Sequence, residues 1–443
     1  MQQSLEGLLD LLAKELHTDK ADKAKRRNIQ QRIQYVYGNL ALLCRYTGKF
    51  FQAIRYAEIA LNIVENLPRN QKEILRALNT LGHVLAVAGR NVDAHVCLEQ
   101  AKKIYRVIPD RLLGGRVYSN FCQLSYGSME FAHLLEYYRA EELHEAVEQS
   151  RGTHIQEYID YAGKAIQLLK MKPVFYKELA DARFSLGELY MMMPTKRIPD
   201  KWKLAEQAFD KALRSACKSQ FTYRVLDTLE SLVILYYFRN SAEENLSLDQ
   251  KKKNIQRRKK YQKEIAQHHE LQTYPDLAGR YELILGDIDF DEALEKFKVD
   301  NFASGIKQLE RAFDHYIDSA NYKKKFNQDE YYLMLPVIYN RLESLVRLTH
   351  PLAFPPLASI DNDRHEDRKR GRLLSPDTLD RLRKIKSKWE HQLKDFTWIF
   401  DYALLLGKKS IKQDKRAELE NELTKNKEQG RYWKVVLVNK WLI

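Results

Sequence analysis

Three stretches carry residue types that could do chemistry, and each is decided by spacing. Asp287-Ile288-Asp289-Phe290-Asp291-Glu292 alternates carboxylates like the opening of a calcium loop. Such a loop needs glycine at its sixth position and glutamate at its twelfth, where this chain has Glu292 and Lys298. The stretch therefore reads as a solvated acidic helix start without a metal. Glu141-Glu142-Leu143-His144 supplies one E-x-x-H, whereas a di-metal bundle site needs a matching copy and two further carboxylates. No matching copy occurs, and His268-His269 follows the basic run that ends at Lys263, which disfavours a cation. There is no G-x-x-x-x-G-K-[ST], G-x-G-x-x-G, G-x-S-x-G or H-E-x-x-H either, so neither a nucleotide cradle nor a nucleophile site is legible. The expectation is a non-enzyme with no cofactor and no metal.

The third stretch is basic. From Lys251 to Lys263 eight of thirteen residues are Lys or Arg and none is acidic. Lys251, Lys252, Lys253, Arg257, Arg258, Lys259 and Lys260 can neutralise phosphates, but Tyr261 is the one aromatic among them, so bases gain no stacking platform. Nucleic-acid binding is accordingly the alternative function; an exposed, solubilising helix or loop is the other reading of the same charge. The net charge of +14 biases the chain towards acidic partners of some kind.

The elements that would position such groups are helical. Only 17 Gly and 11 Pro interrupt 443 residues, and 44% apolar with 30% charged content is a core-forming, water-facing balance. No run of eighteen apolar residues exists, so no membrane partner is expected. Cys44, Cys97, Cys122 and Cys217 are scattered singly, which predicts buried, inert thiols and a reducing, cytoplasmic setting. Met1–His17 mixes Glu6, Asp10, Lys14 and Glu15 with its leucines, which suits an amphipathic capping helix and not a signal peptide.

Within Gln34–Arg106 one pattern occurs twice. Ala41 and Gly82 stand 41 positions apart, as do Gly48 and Gly89, Ala53 and Ala94, and Ala60 and Ala101. A small residue midway along a first helix admits a close partner, a glycine ends that helix in the left-handed conformation, and Ala53, Ala57 and Ala60 form a thin stripe on the second. The pattern predicts helix hairpins. On these residues the chain resembles the tetratricopeptide repeat superfamily, with a step longer than the usual unit of about 34 residues by roughly one helical turn per helix. Such long repeats resemble those of kinesin light chains and of the sensor arms of bacterial signalling NTPases.

The resemblance implies an all-α, TPR-like α-solenoid, a right-handed superhelix of antiparallel helix hairpins, here with inserted helices and a C-terminal helical extension. Capping helices are expected over 1–33, with a repeat helix starting near Asn28, and the solenoid over 34–350. Repeats fall near 34–70, 75–108, 112–170 (enlarged across Met129–Gln149), 178–218, 222–272 (irregular) and 276–325. Met191-Met192-Met193 in the fourth unit reads as core or loop-anchor packing, ahead of an adaptable contact surface. Tyr331–Leu348 supplies one more helix, the proline-broken, charged 351–374 is a linker or loop, and 375–443 is a helical extension. The apolar end, with Trp433, Leu437 and Trp441, must be covered, either by docking back or by another chain in a larger assembly.

Superfamily members hold peptides or protein segments in the concave groove lined by first helices. Mapped by the pattern, that lining is Tyr35, Asn39, Leu42 and Arg45, then Arg76, Asn79 and His83, then Arg116, Asn120 and Gln123. It is polar and mildly basic, suited to an acidic or polar peptide. The carboxylate clamp of one subgroup is not reproduced: Gly38, Leu42, Thr80, Arg116 and Asn120 occupy its places, and only Arg116 keeps a charge. The expected function is a non-enzymatic protein–protein interaction, sensor or scaffold module, of the kind that serves as the recognition arm of a bacterial signalling or defence assembly.

Overall fold

The computed structural model describes residues 2–16, 23–67, 70–136, 144–193, 198–243, 246–298 and 301–326. The expectations for the helix at 331–348, the linker at 351–374, and the extension and its apolar tail fall outside the described residues. All regular structure among those described is helical: α1 Gln2–Leu16, α2 Lys23–Tyr46, α3 Phe50–Glu65, α4 Gln71–Val87, α5 Asn91–Val107, α6 Arg111–Glu136, α7 His144–Leu169, α8 Tyr176–Met192, α9 Lys201–Lys218, α10 Thr222–Ala242, α11 Leu248–Ala266, a 3-10 helix His269–Thr273, α12 Pro275–Lys298 and α13 Phe302–Phe326. Two compact units divide within α12, between Tyr281 and Glu282.

In the first unit α1 lies along α2, and the chain then alternates leading and trailing helices: α2/α3, α4/α5, α6/α7, α8/α9 and α10/α11. The turn glycines act as their spacing predicts. Gly48 has φ 72° and Gly89 φ 77°. Just past each, Lys49 donates its N–H to the Cys44 carbonyl and Arg90 to that of Leu85, both at 2.9 Å, so carbonyls orphaned by the helix ends are satisfied. Ala41, Ala53, Ala57, Ala60, Ala94 and Ala101 are all buried. At Gly82 a Cβ would lie 2.8 Å from the Leu98 side chain, so the hairpin α4/α5 closes to a distance that only glycine allows there.

Several boundaries differ from the sequence reading. The first leading helix begins at Lys23, not near Asn28, because Lys and Arg are good helix formers and continue the turn pattern. The third hairpin is enlarged by lengthening: α6 and α7 run 26 residues each. The fifth is not irregular. Ser247 accepts the Gln250 N–H while the Gln250 side chain accepts the Ser247 N–H, a reciprocal cap that starts α11 as an ordinary trailing helix carrying the whole basic run. Met191 and Met193 are buried, as the packing reading expects. Among the cysteines Cys44 and Cys122 are buried, but Cys97 is half-exposed and Cys217 exposed, because they fall beside, and not on, the alanine stripes of α5 and α9.

In the second unit the acidic stretch lies inside α12 and does not start a helix. Asp287 is buried and accepts the Tyr316 hydroxyl at 2.7 Å, which removes it from any calcium-loop geometry. His315 on α13 lies 2.6 Å from Glu282 and 3.7 Å from Asp289. Burial opposes charge on this imidazole, but the Glu282 hydrogen bond and charge, with Asp289 and Asp318, outweigh it and raise its pKa above the ordinary histidine value. A raised folded-state pKa contributes stability that is present at pH below about 6.5 and is lost as pH rises through the folded value. Thermal melts from about pH 5.5 to 8.5 are expected to show that decline in the wild type, and His315→Gln to flatten it by about 1 kcal/mol.

Candidate binding groove

The leading helices touch one another in series, α2 with α4, α4 with α6, α6 with α8 and α8 with α10, which places them side by side along one face. A ladder of polar contacts marks that face. The Arg76 guanidinium lies over the Tyr35 ring at 4.7 Å, and Asn120 Nδ2 donates to Asn79 Oδ1 at 2.9 Å. Arg116 pairs with Glu178, and Arg224 with Asp181 at 2.8 Å and with Asp227. Ser231 donates to Glu188 at 2.7 Å, and Arg280 reaches Asp227 at 2.6 Å and Glu230 at 3.2 Å. Successive leading helices are thus pinned by their groove side chains.

The face also curves onto itself. Tyr46 at the end of α2 meets Tyr223 at the start of α10 edge-on, with ring centroids 5.1 Å apart, and Tyr223 meets Tyr274 at 5.2 Å and donates to Asp276 at 2.8 Å. Burial and the nearby Asp276 and Asp227 raise the Tyr223 pKa well above the ordinary phenol value. Burial opposes the charge of Arg224, but Asp181 and Asp227 outweigh it and hold the guanidinium protonated. Deep in the same region burial, then the positive charges of Arg45 and Arg224, press the His83 pKa well below its ordinary value, so this imidazole is neutral.

The structure sorts the sequence-predicted lining. Tyr35, 48% exposed, and Asn39 are open to solvent, and Arg45 and Arg76 are half-buried. Asn79 is buried and spent on Asn120, Arg116 on Glu178, and Arg76 on Glu73 within its own helix. His83 Nδ1, Gln123 Oε1 and Arg45 Nε are shielded atoms without a hydrogen-bond partner. The expected open lining is therefore corrected for Asn79, Arg116 and Asn120, which join helix to helix, while His83 and Gln123 are half-buried with these atoms shielded from solvent. Arg45 differs from Arg76, Arg116, Arg224 and Arg280 in forming no ion pair among the described residues; its guanidinium lies over Tyr46 at 4.6 Å. Asp181, Glu188, Arg224, Asp227, Ser231 and Arg280 were missed. Arg224, Asp227, Thr228 and Ser231 do follow the i, i+3, i+4, i+7 spacing of one helix face, a signal masked by the apolar residues of α10.

Of the basic run, Lys252, Lys253, Lys259 and Lys260 are exposed and Lys251 half-buried. Arg258 is buried, and Arg257 pairs with Glu206 at 2.6 Å and donates to the Tyr236 hydroxyl. No group of three or more potential metal ligands occurs among the described residues. No helix among them is long and apolar enough to cross a membrane.

Residues 32–107 match the family model described as tetratricopeptide repeat, so the chain carries tetratricopeptide repeats across α2–α5, and its described residues form an all-α helical repeat. No curated protein gives a significant match. Among solved structures, BtubC (BKLC) from P. vanneervenii is 16% identical, with 60% of this chain and 92% of that chain covered and a TM-score of 0.38. The apo form of RapI is 12% identical over 73% of this chain and 92% of its own, at a TM-score of 0.39. A circular tandem repeat protein of novel repeat topology is 12% identical over 92% and 91%, at 0.26.

Proposed function

We propose that the chain is a non-enzymatic interaction scaffold that holds a polar or acidic protein segment against the leading-helix face of α2, α4 and α6. One observation carries this reading. Arg76, Arg116, Arg224 and Arg280 are matched by carboxylates of the chain itself, whereas Arg45 and the exposed Arg32, which share α2 with the exposed Tyr35 and Asn39, form no ion pair among the described residues. An unneutralised cation, an exposed aromatic and an amide on one helix face can supply charge, contact area and backbone hydrogen bonds to an incoming segment. A segment carrying a carboxylate would complete the ladder's pattern of paired charges. Placement in a larger assembly, such as a bacterial signalling or defence complex, belongs to the same reading.

The test is affinity capture from cells of the source with wild type and the variant Tyr35→Ala/Asn39→Ala/Arg45→Met. These positions avoid the Asn79–Asn120 and Arg116–Glu178 pairs that hold the helices together. The expected result is at least one protein enriched by wild type and depleted tenfold or more by the variant at unchanged thermal stability. Identical partner sets would overturn the groove assignment.

A further inference from the structure

The opposite, trailing-helix side of the fourth and fifth hairpins has a property that the groove does not use. On α11, Lys252, Lys259 and Lys263 fall on one line of the helix, flanked by Lys253 and Lys260, and all five are exposed. With 1.5 Å of rise per residue the row is about 17 Å long. On α9, Lys203, Lys211, Arg214 and Lys218 form a second exposed row at steps of eight, three and four residues, with no acidic residue exposed among them. The two helices are neighbours, since Arg257 of α11 pairs with Glu206 of α9 and Tyr261 stacks on Tyr236 beneath them. Both helices pack against α10.

We propose that this outer face of α9 and α11 is a second binding surface, which takes the phosphate backbone of a nucleic-acid duplex without reading its sequence. The two rows together offer nine exposed cations that can neutralise duplex phosphates. The acids nearby leave most of the rows' charge uncancelled: Glu206 lies between them and is held by Arg257 and Tyr236, Asp210 is half-buried beside it, Glu264 pairs with Lys260 at 3.6 Å, and the exposed Asp249 stands one turn before Lys252 and Lys253. The composition of the face selects the occupant. Its large exposed apolar side chains stand singly at its ends, Leu248 at the start of α11 and Tyr176 against Lys218, so it lacks both the apolar centre of a protein interface and the apolar face that enters a lipid surface. Tyr261 is turned inward onto Tyr236 and is not offered to bases, which leaves charge as the mode of recognition.

The test is fluorescence anisotropy of the full chain with two unrelated DNA duplexes of about 20 base pairs, titrated between roughly 50 and 200 mM salt. The proposal expects equal affinity for both sequences and a log–log salt slope of about −4. Lys252→Glu/Lys259→Glu/Lys263→Glu and, separately, Lys211→Glu/Arg214→Glu are each expected to weaken binding at least tenfold and to make the slope shallower by about 2, at unchanged circular dichroism. Lys103→Glu, on the exposed face of α5, is the charge control and should change affinity less than twofold. The Tyr35→Ala/Asn39→Ala/Arg45→Met variant should bind duplex as wild type does, which separates this surface from the groove. Absence of binding at the lowest salt, variants on α9 and α11 no weaker than the control, or poly-glutamate or phosphatidylserine vesicles binding as tightly as duplex would each overturn it.

Discussion

Replacing Arg224 by methionine is expected to cost about 3 kcal/mol of stability, near the lower end of what removing one partner from a buried ion pair costs. Arg224 is 6% exposed, and its guanidinium joins Asp181 of α8 to Asp227 of its own helix while lying 4.2 Å over the Phe184 ring. Methionine keeps much of the stem and its contact with that ring, so the loss reports the charge and its hydrogen bonds. Asp227 retains Arg280 at 2.6 Å, which limits the damage. The triple variant Arg224→Met/Asp181→Asn/Asp227→Asn should recover part of the loss, because it no longer leaves carboxylates without their cation. Urea unfolding of the three proteins checks this, and an equal loss in the single and triple variants would show that packing alone is at stake.

A second large effect is expected at Gly187, where α8 lies against α9. A Cβ built there would sit 2.5 Å from Phe209 Cε1, and Phe209 is fully buried among Phe184, Trp202, Leu232, Leu235 and Tyr236. The ring has no free space to move into, so Gly187→Val should destabilise by about 2–3 kcal/mol through overpacking. Combining it with Phe209→Leu should give less than the sum of the two single losses, since the smaller side chain relieves the clash. Gly163 of α7 is the counterexample, with nothing within 4 Å of its Cβ direction. There Gly163→Ala should stabilise by about 0.5–1 kcal/mol through helix propensity. Opposite signs at two helical glycines would identify close approach as the reason for the first.

The same distinction explains how far the fold was legible. Gly48, Gly82 and Gly89 with Ala53, Ala60, Ala94 and Ala101 announced the hairpins because backbone handedness and helix spacing constrain residue size directly, and small residues are visible in sequence. The regular hairpin α10/α11 was hidden because its helix interface is built from large residues, Tyr236 against Tyr261, so no alanine or glycine marks the crossing. Spacing placed Tyr35 and Asn39 on the exposed side of α2, but a periodic pattern cannot show that Asn79 and Arg116 spend their polar groups on Asn120 and Glu178, 41 and 62 residues away. Whether a polar residue is an open contact or a joint between helices depends on partners brought together by the stacking. The basic row on α9 was missed because its lysines are diluted by the buried positions of the same helix, unlike the continuous run on α11.

Partner binding on the leading-helix face, as proposed above, is read out by site-specific photocrosslinking. A photoreactive amino acid is placed at Asn39, exposed on that face, or at Val96, 51% exposed on trailing helix α5. Crosslinking of the captured protein segment from position 39, and none from 96, is the predicted result. Crosslinking from 96 with none from 39 would contradict the account.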